Sequence, residues 1–445
     1  MGTLLCYNTI EEIKMNTTVT LTEKEFIDFF NTRTINENIF NDDGSLNKRY
    51  NSSKKTGIIA SIFEDHWDNV YLANKDMFNQ YRPNADKEVH KIIDCYNANL
   101  GCSVYECPDC HDITFISHTC KSRFCSSCGY KYKNARVENI MQTAYRGPHR
   151  QIVFTIPREL RKYFFFPFKE RINILFQAVN ETIYSMLNIS FKKDKKGNLR
   201  KYISKIKWTA GFFAFLHTFG RSLIFNPHIH VLIAETKLGS NNSCVPLKYF
   251  DYNALSKRFQ LILLDKLSDA LGNSFDKEKS SSFTNHPNGF YVYAEPKKFT
   301  NIQSGIEYVA RYCGRPAISE NRIVDYDGKN ITYSYTDHKD NLYHEVTLSA
   351  EEFIKLLLRH LIPHQFKTIR YYGFYRKKHI FHKNMILLIQ KEKRNFRKLI
   401  LKHEFSILLS FKRNPYNCPK CNKRMEFMCF LNWRRLFLYG KIWFC

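Results

Sequence analysis

Apolar stretches of strand and helix type alternate through the middle of the chain. Residues 151–156 form a short, largely apolar run that ends at Pro157, as a buried strand would. The later elements predicted by the same pattern are, in chain order, a helix at 164–187, strands at 208–218 and 227–235, a helix at 252–271, a strand at 289–295 and a helix at 301–312. This order predicts an α+β fold with an antiparallel sheet.

Turn-forming residues separate a smaller unit from this sheet. Pro83-Asn84 and Gly147-Pro148 lie on either side of it and favour turns. We therefore predict four parts, which are an N-terminal extension of unassigned role at 1–81, a compact module at 82–146, the α+β domain at 147–350 and a basic, largely helical region at 351–445.

The composition indicates a folded protein with a polyanionic partner. Hydrophobic residues make up 44% and aromatic residues 15% of the 445 residues, which excludes disorder as the main state. Lys and Arg number 68 against 42 Asp and Glu, and the net charge of +26 favours nucleic acid as the partner. The chain has no apolar run near about 18 residues and no secretory-signal pattern, so we expect no membrane contact and a cytoplasmic location.

The basic excess is concentrated near the C-terminus. From Lys355 to Cys445 the chain has 22 Lys and Arg against three acidic residues, interleaved with aromatic residues such as Tyr371 and Trp433. Basic and aromatic residues in alternation are typical of proteins that bind single-stranded nucleic acid. We predict contact with a phosphate backbone here, and the alternative is a solvated helical face.

Two CxxC pairs lie close together in the compact module. Cys107-Pro-Asp-Cys110 and Cys125-Ser-Ser-Cys128 are separated by 14 residues. This spacing is typical of two turns that meet around one tetrahedral Zn²⁺, for which thiolates are preferred ligands. The pairs therefore predict a structural zinc with four cysteine ligands, and the alternative is a set of buried thiols.

Further cysteines and histidines leave additional zinc sites open. Cys95, Cys102 and Cys120, with His111 and His118, are near enough in sequence to form a second site. A third CxxC pair near the C-terminus is accompanied by Cys429 and needs a fourth ligand. The residues of that third group are Cys418, Cys421 and Cys429, with His403 or Cys445 as the additional ligand.

Two histidines occupy alternate positions of a predicted strand. His228 and His230 in Asn226-Pro-His-Ile-His230 therefore point to the same face of the sheet. Paired neutral imidazoles bind divalent metals, whereas a single buried histidine is usually a hydrogen-bonded core residue. His217, in the preceding predicted strand, is a candidate third ligand.

Two tyrosines lie one helical turn apart in the last predicted helix of the α+β domain. Tyr308 and Tyr312 share a helix face, and Arg311 lies beside them. Tyrosines at this spacing are most often core residues. In a basic protein with a predicted metal site, a phenol can instead attack a phosphodiester while a metal and an arginine neutralise the phosphate charge.

Three motifs, taken together in chain order, resemble those of the two-tyrosine HUH transposases of bacterial insertion sequences. These transposases are of the IS91 type, which moves by a rolling-circle route. The motifs are Cys120-Lys-Ser-Arg-Phe-Cys-Ser-Ser-Cys128, Asn226-Pro-His-Ile-His230 and Tyr308-Val-Ala-Arg-Tyr312 followed by Gly314-Arg-Pro316. The likeness begins near Pro83 and extends to the C-terminal CxxC pair. Ser103 and Phe124 stand where many relatives have histidine, which leaves the arrangement of a second zinc open.

The resemblance implies a zinc-binding module and a ferredoxin-like HUH nuclease domain. It also implies cleavage of single-stranded DNA at element ends, with a 5′-phosphotyrosine link and transfer to target DNA. On this basis His228 and His230 hold Mg²⁺ or Mn²⁺, and Tyr308 and Tyr312 are the nucleophiles. The alternatives are a replication initiator or relaxase with the same chemistry, and a zinc-containing regulator without catalysis. A homo-oligomer is also left open.

Overall fold

The computed structural model describes the chain apart from residues 1, 7–16, 22–56, 97–99, 142–143, 146, 194–198, 242, 248–250, 294–304, 307–316, 338–340, 377–413, 415 and 432–445. The predicted catalytic residues Tyr308, Arg311 and Tyr312 lie outside the described residues. So does more than half of the region 351–445 that the sequence predicts as largely helical. Within the described part, no helix is long and apolar enough to cross a membrane.

The described elements are eight helices, sixteen strands and four 3₁₀ segments. The helices are α1 Ile58–Ala73, α2 Lys75–Tyr81, α3 Ala85–Ile93, α4 Ser126–Met141, α5 Phe168–Asn188, α6 Tyr252–Leu271, α7 Asp276–Asn285 and α8 Ala350–Leu358. The strands are β1 Gly2–Cys6, β2 Thr17–Leu21, β3 Cys102–Glu106, β4 Ile113–Ser117, β5 His149–Thr155, β6 Ile189–Lys193, β7 Leu199–Ile203, β8 Trp208–Phe219, β9 Phe225–Gly239, β10 Cys244–Pro246, β11 Val292–Tyr293, β12 Ile323–Tyr326, β13 Asn330–Thr336, β14 Tyr343–Ser349, β15 Ile369–Tyr372 and β16 Glu426–Leu431. The 3₁₀ segments are Arg158–Phe164, Gly272–Phe275, Glu320–Arg322 and Gly373–Tyr375.

The central apolar pattern forms the largest described sheet. Its strand order is β11-β5-β9-β8-β15, with β10 paired to β9, and each of these pairings is antiparallel. The predicted mixture of helices with an antiparallel sheet is confirmed. Strand β9 is longer than the predicted 227–235, and of the predicted strand 289–295 the described residues Val292 and Tyr293 are paired.

Helix α6 spans the residues predicted for it because both of its ends carry local signals. At its start, Asp251 Oδ1 accepts a hydrogen bond from the backbone N–H of Ala254 at 2.9 Å. At its end, Gly272 has a φ of +67°, in the left-handed region that favours glycine. Signals of this kind depend only on neighbouring residues, so the sequence pattern is sufficient to predict them.

The two faces of the main sheet are covered by different parts of the chain. On β9, Ile229 and Val231 pack with helices α5 and α6 in one core. Leu232 belongs to another core, which includes residues of helix α4. Because successive side chains of a strand point to opposite faces, His228 and His230 share the face of Leu232, away from α5 and α6.

A further core joins segments from before and after the main sheet. Helices α1 and α3 pack together, and α1 also packs against α8, which follows the sheet β12-β13-β14. Trp67 of α1 is buried, and its Nε1–H donates to Asp86 Oδ1 at 3.0 Å. The predicted domain boundaries at 81, 146 and 350 stay predictions.

A small sheet brings the end of the described chain onto the compact module. Strand β16 pairs antiparallel with β3, which pairs antiparallel with β4. The partners Leu431 and Cys102 are far apart in sequence, so no local pattern predicts this pairing. The sheet positions the third CxxC pair beside the first.

Candidate metal centres

Three histidines lie together on the sheet face opposite α5 and α6. His217 on β8 is directly opposite His228 on β9, and His230 lies two residues further along β9. One ring nitrogen of each histidine lies within 4.8 Å of those of the other two. The ring centroids of His217 and His230 are 4.1 Å apart. The structure therefore brings together the three histidines that the sequence analysis selects.

Burial disfavours the charged form of His228 and His230. Desolvation lowers the pKa of His228 to about 4. Desolvation, assisted by the neighbouring His228, also lowers the pKa of His230 well below its ordinary value. His228 donates its Nδ1–H to the backbone carbonyl of Asn226 at 2.7 Å, so its Nε2 carries the lone pair that a metal requires.

Gln151 on β5 contacts the outer nitrogen of His230. Its Nε2 lies 2.9 Å from His230 Nδ1, and its buried Oε1 has no hydrogen-bond partner among the residues that the structure describes. A half-turn of the amide exchanges these two atoms, so that Oε1 accepts from Nδ1–H of His230. In that arrangement the buried oxygen is satisfied and His230 Nε2 has a lone pair for a metal.

Arg161 provides positive charge near the histidines. It lies in the 3₁₀ segment Arg158–Phe164, which packs against β9. Desolvation is the largest cause of the lowered pKa of His228, and the hydrogen bond to Asn226 opposes it. The positive charge of Arg161 lowers this pKa further. The sequence analysis does not select Arg161 or Gln151. A polar residue at position 151 of an apolar strand is a signal for Gln151, and Arg161 has no comparable one.

Cys95, Cys120, Cys125 and Cys128 form a buried cluster of four thiols. Their sulfur atoms all lie within 4.8 Å of one another, and Cys95 Sγ is 3.7 Å from those of both Cys125 and Cys128. Thiolates placed tetrahedrally around zinc at about 2.3 Å lie about 3.8 Å apart. The cluster therefore fits one Zn²⁺.

The prediction that the first two CxxC pairs share one ion is wrong. Cys107 and Cys110 lie in a different cluster, with Cys418 and Cys421. The physical reason is that the other pair begins helix α4 and packs into the core of α1 and α3, whereas the Cys107 pair lies in the turn between β3 and β4. Backbone hydrogen bonding, first from Cys110, lowers the pKa of the Cys107 thiol to about 7, which favours a thiolate.

The other candidate zinc ligands have different positions. His118 Nε2 is hydrogen-bonded to Ser103 Oγ at 3.0 Å, and His111 Nδ1 to Glu106 Oε1 at 3.1 Å. Cys102 on β3 belongs to neither described cysteine cluster. Two further candidate ligands lie outside the described residues, namely His403 and Cys445.

Comparison with known proteins identifies two regions of the chain. The zinc-binding domain of IS91-type transposases matches residues 62–156, and a putative transposase family matches residues 211–381. Both matched regions are those of transposases, and the zinc-binding domain is of the IS91 type. No solved structure matches it.

Two curated relatives agree with these matches. A putative transposase y4qJ of Sinorhizobium fredii is 27% identical over 312 residues, which are 65% of this chain and 74% of the relative. The transposase for insertion sequence element IS801 of Pseudomonas savastanoi pv. phaseolicola is 27% identical over 309 residues, 64% of this chain and 69% of the relative. As a transposase, the protein acts on DNA.

Most of the candidate metal ligands of the transposase lie in one or the other of the two matched regions. Residues 62–156 contain the whole Cys95 cluster together with Cys107 and Cys110, which supports zinc binding. Residues 211–381 contain the three clustered histidines. Cys418 and Cys421 lie beyond both matches.

Gln151→Leu is expected to weaken metal binding by the histidine cluster about tenfold or more, because His230 loses the partner that orients it. Calorimetric titration of the zinc-loaded transposase with Mn²⁺ measures this affinity. Gln151→Glu retains an acceptor for Nδ1–H and is the matched variant, for which we expect affinity close to that of the wild type or higher. Equal affinity in wild type and Gln151→Leu would show that Gln151 has no orienting role.

Proposed function

We propose that the transposase cleaves single-stranded DNA and transfers the cut strand through a 5′-phosphotyrosine intermediate, in transposition of the rolling-circle type. The observation that carries this proposal is the position of Ile306 on the sheet face of the histidine cluster. Residues 305 and 306 are helical, and Ile306 packs in one core with Phe215, which is directly opposite His230. Tyr308 follows Ile306 by two residues in the sequence.

The order of elements around the histidines supports a ferredoxin-like HUH domain. Along the chain the main elements are β5, α5, β8, β9, α6 and β11, and in the sheet their strands are ordered β11-β5-β9-β8. Both helices pack on the same face of this sheet. Two strand–helix–strand units interleaved in this way are the ferredoxin-like pattern, to which this chain adds the β6–β7 hairpin and strands β10 and β15.

In the proposed reaction Tyr308 and Tyr312 are the nucleophiles. The phenolic oxygen of one tyrosine bonds to phosphorus, and the bond between phosphorus and the 3′-oxygen breaks. The phenol loses one proton and the departing 3′-oxygen gains one, so the proton count balances. A phosphate diester persists in the intermediate, and a 3′-hydroxyl can later attack it and release the tyrosine. A second tyrosine allows another strand to be held at the same time.

The remaining side chains bind and orient the scissile phosphate. The histidine cluster would hold Mg²⁺ or Mn²⁺, which supplies positive charge that polarises the phosphate. Because Mg²⁺ prefers oxygen ligands and this cluster offers nitrogen, we expect Mn²⁺ to bind more tightly. Arg161, together with Arg311, is proposed to neutralise charge on the non-bridging phosphate oxygens.

Labelled oligonucleotides from the element ends test the proposal. In the presence of Mn²⁺, we expect a protein-linked DNA band on a denaturing gel with the single strand, and none with the same sequence as a blunt duplex. The physical reason is that a phosphodiester in an intact duplex is less able to enter a site on the sheet face that helix α4 also packs against. Binding of the single strand without a covalent band would favour the regulator alternative instead.

A further inference from the structure

The first and third CxxC pairs lie in two turns of the same design, which we call the acidic turn (107–112) and the basic turn (418–423). In the acidic turn, the N–H of Cys107 donates to the carbonyl five residues later at 2.9 Å, and its carbonyl accepts from the N–H four residues later at 3.0 Å. The basic turn repeats both hydrogen bonds from Cys418, at 2.8 and 2.9 Å. In each turn the residue after the second cysteine has a positive φ, 54° at His111 and 60° at Asn422.

The sulfur atoms of the two turns have the spacing of a tetrahedral zinc site. Cys107 and Cys421 sulfurs are 3.4 Å apart, and Cys110 sulfur lies 3.5 Å from that of Cys418 and 3.8 Å from that of Cys421. These distances are close to the value of about 3.8 Å for four thiolates around one zinc. Each turn supplies two ligands, although Cys107 and Cys421 are 314 positions apart in the sequence.

Ion pairs between oppositely charged side chains join the two turns. Lys420 Nζ lies 2.8 Å from Asp112 Oδ1, and Lys423 Nζ lies 2.8 Å from Asp109 Oδ2. The third residue of each turn thus pairs with the sixth residue of the other. Two acidic turns, or two basic turns, would bring like charges together at both positions. Exposed ion pairs stabilise a fold little, so their effect here is to select the partner turn.

Aromatic packing adds to the attachment of the segment that contains the basic turn. Tyr105 packs its ring against those of Tyr416 and Phe427, with centroids 5.0 and 5.5 Å away. The buried apolar cluster at this point contains Cys107, Cys418 and Met425. Among the described residues, this buried cluster is small beside the core of the main sheet, so metal binding would supply a large part of the stability of the attachment.

We propose that a second zinc ion, held by Cys107, Cys110, Cys418 and Cys421, is a clasp that fastens the C-terminal segment 416–431 to the zinc-binding domain. Its attachment then depends on metal, unlike a domain that folds independently. Cys110 and Cys421 are exposed, whereas all four cysteines of the Cys95 cluster are buried. The clasp is therefore the zinc site that a chelator reaches first.

Zinc analysis of the full-length chain tests whether the two turns share one ion. Cys107→Ser/Cys110→Ser and Cys418→Ser/Cys421→Ser are each expected to lose one zinc per chain relative to wild type. The variant with all four substitutions is expected to lose the same single zinc. Loss of two ions from the fourfold variant, or no loss from the Cys418 and Cys421 variant, would overturn the proposal. Cys244→Ser, at an exposed cysteine outside both clusters, is the matched control and should lose none.

Hydrogen exchange tests whether the shared ion fastens the segment. In Cys107→Ser/Cys110→Ser, backbone exchange in strand β16 is expected to rise at least about tenfold, although the substitutions lie in another part of the sequence. Unchanged exchange would show that strand pairing alone holds β16. If the variants fail to fold, wild type treated with a mild chelator gives the same comparison. One zinc should then leave first and β16 exchange should rise with it, and loss of that zinc with constant β16 exchange would contradict the clasp.

Discussion

Replacing His228 and His230 together with alanine is expected to reduce DNA cleavage by about 10³-fold or more. The physical reason is that two of three candidate ligands are lost, so that no metal remains to polarise the scissile phosphate. Binding of single-stranded DNA should change only a few-fold, because backbone affinity comes mainly from Lys and Arg spread over the protein. Cleavage rate and binding affinity, measured with the same oligonucleotide and at the same salt concentration, separate the two effects.

A matched pair of substitutions controls for the loss of two histidines. His90 and His364 are both exposed and belong to no described metal-ligand cluster, so His90→Ala/His364→Ala should cleave at the wild-type rate. Cleavage that survives the loss of His228 and His230, or that is indifferent to chelators, would remove the metal site from the mechanism.

Replacing Tyr308 and Tyr312 together with phenylalanine is expected to abolish the covalent protein–DNA complex. Each substitution removes a hydroxyl and almost no volume, so zinc content and DNA binding should be preserved. In the single variants we expect different defects. One should prevent the first nick, and the other should permit nicking but block completed strand transfer. Denaturing gels for the adduct and sequencing gels for the transferred strand measure both steps.

Two other tyrosines provide controls for this experiment. Tyr326 donates its hydroxyl to Asp65 Oδ2 at 2.6 Å, and burial together with this carboxylate raises its pKa above the ordinary value. Tyr333 is buried, and desolvation raises its pKa as well. Neither phenol is suited to act as a nucleophile, so Tyr326→Phe and Tyr333→Phe should form the adduct at the wild-type level. Loss of the adduct in either variant without loss of folding would contradict the assignment.

The central sheet could be predicted from sequence because its signals are local. Apolar runs define β8 and β9, and the two-residue period of a strand places His228 and His230 on one face. Helix α6 has its cap residues beside it. The pairing of β16 with β3 depends on residues far apart in sequence, and hydrophobic periodicity contains no information about such a partner.

A candidate site could be predicted from the sequence only as far as a single local motif supplies its residues. The histidine cluster needs only two adjacent strands, and His217 lies in the strand that precedes the His228 motif. A CxxC motif specifies a turn with two thiols but not the second turn that completes the tetrahedron. The information that distinguishes the partners is in the charges, since aspartates occupy the positions in the acidic turn that lysines occupy in the basic turn.

Mapping the DNA-linked peptide tests the central claim most directly. The wild-type transposase is incubated with a single-stranded element end and Mn²⁺, the covalent complex is isolated and digested, and the modified residue is identified by mass spectrometry. The account predicts a nucleotide attached through phosphate to the phenolic oxygen of Tyr308 or Tyr312. Attachment to any other residue, or cleavage without a covalent protein–DNA bond, would contradict the two-tyrosine mechanism.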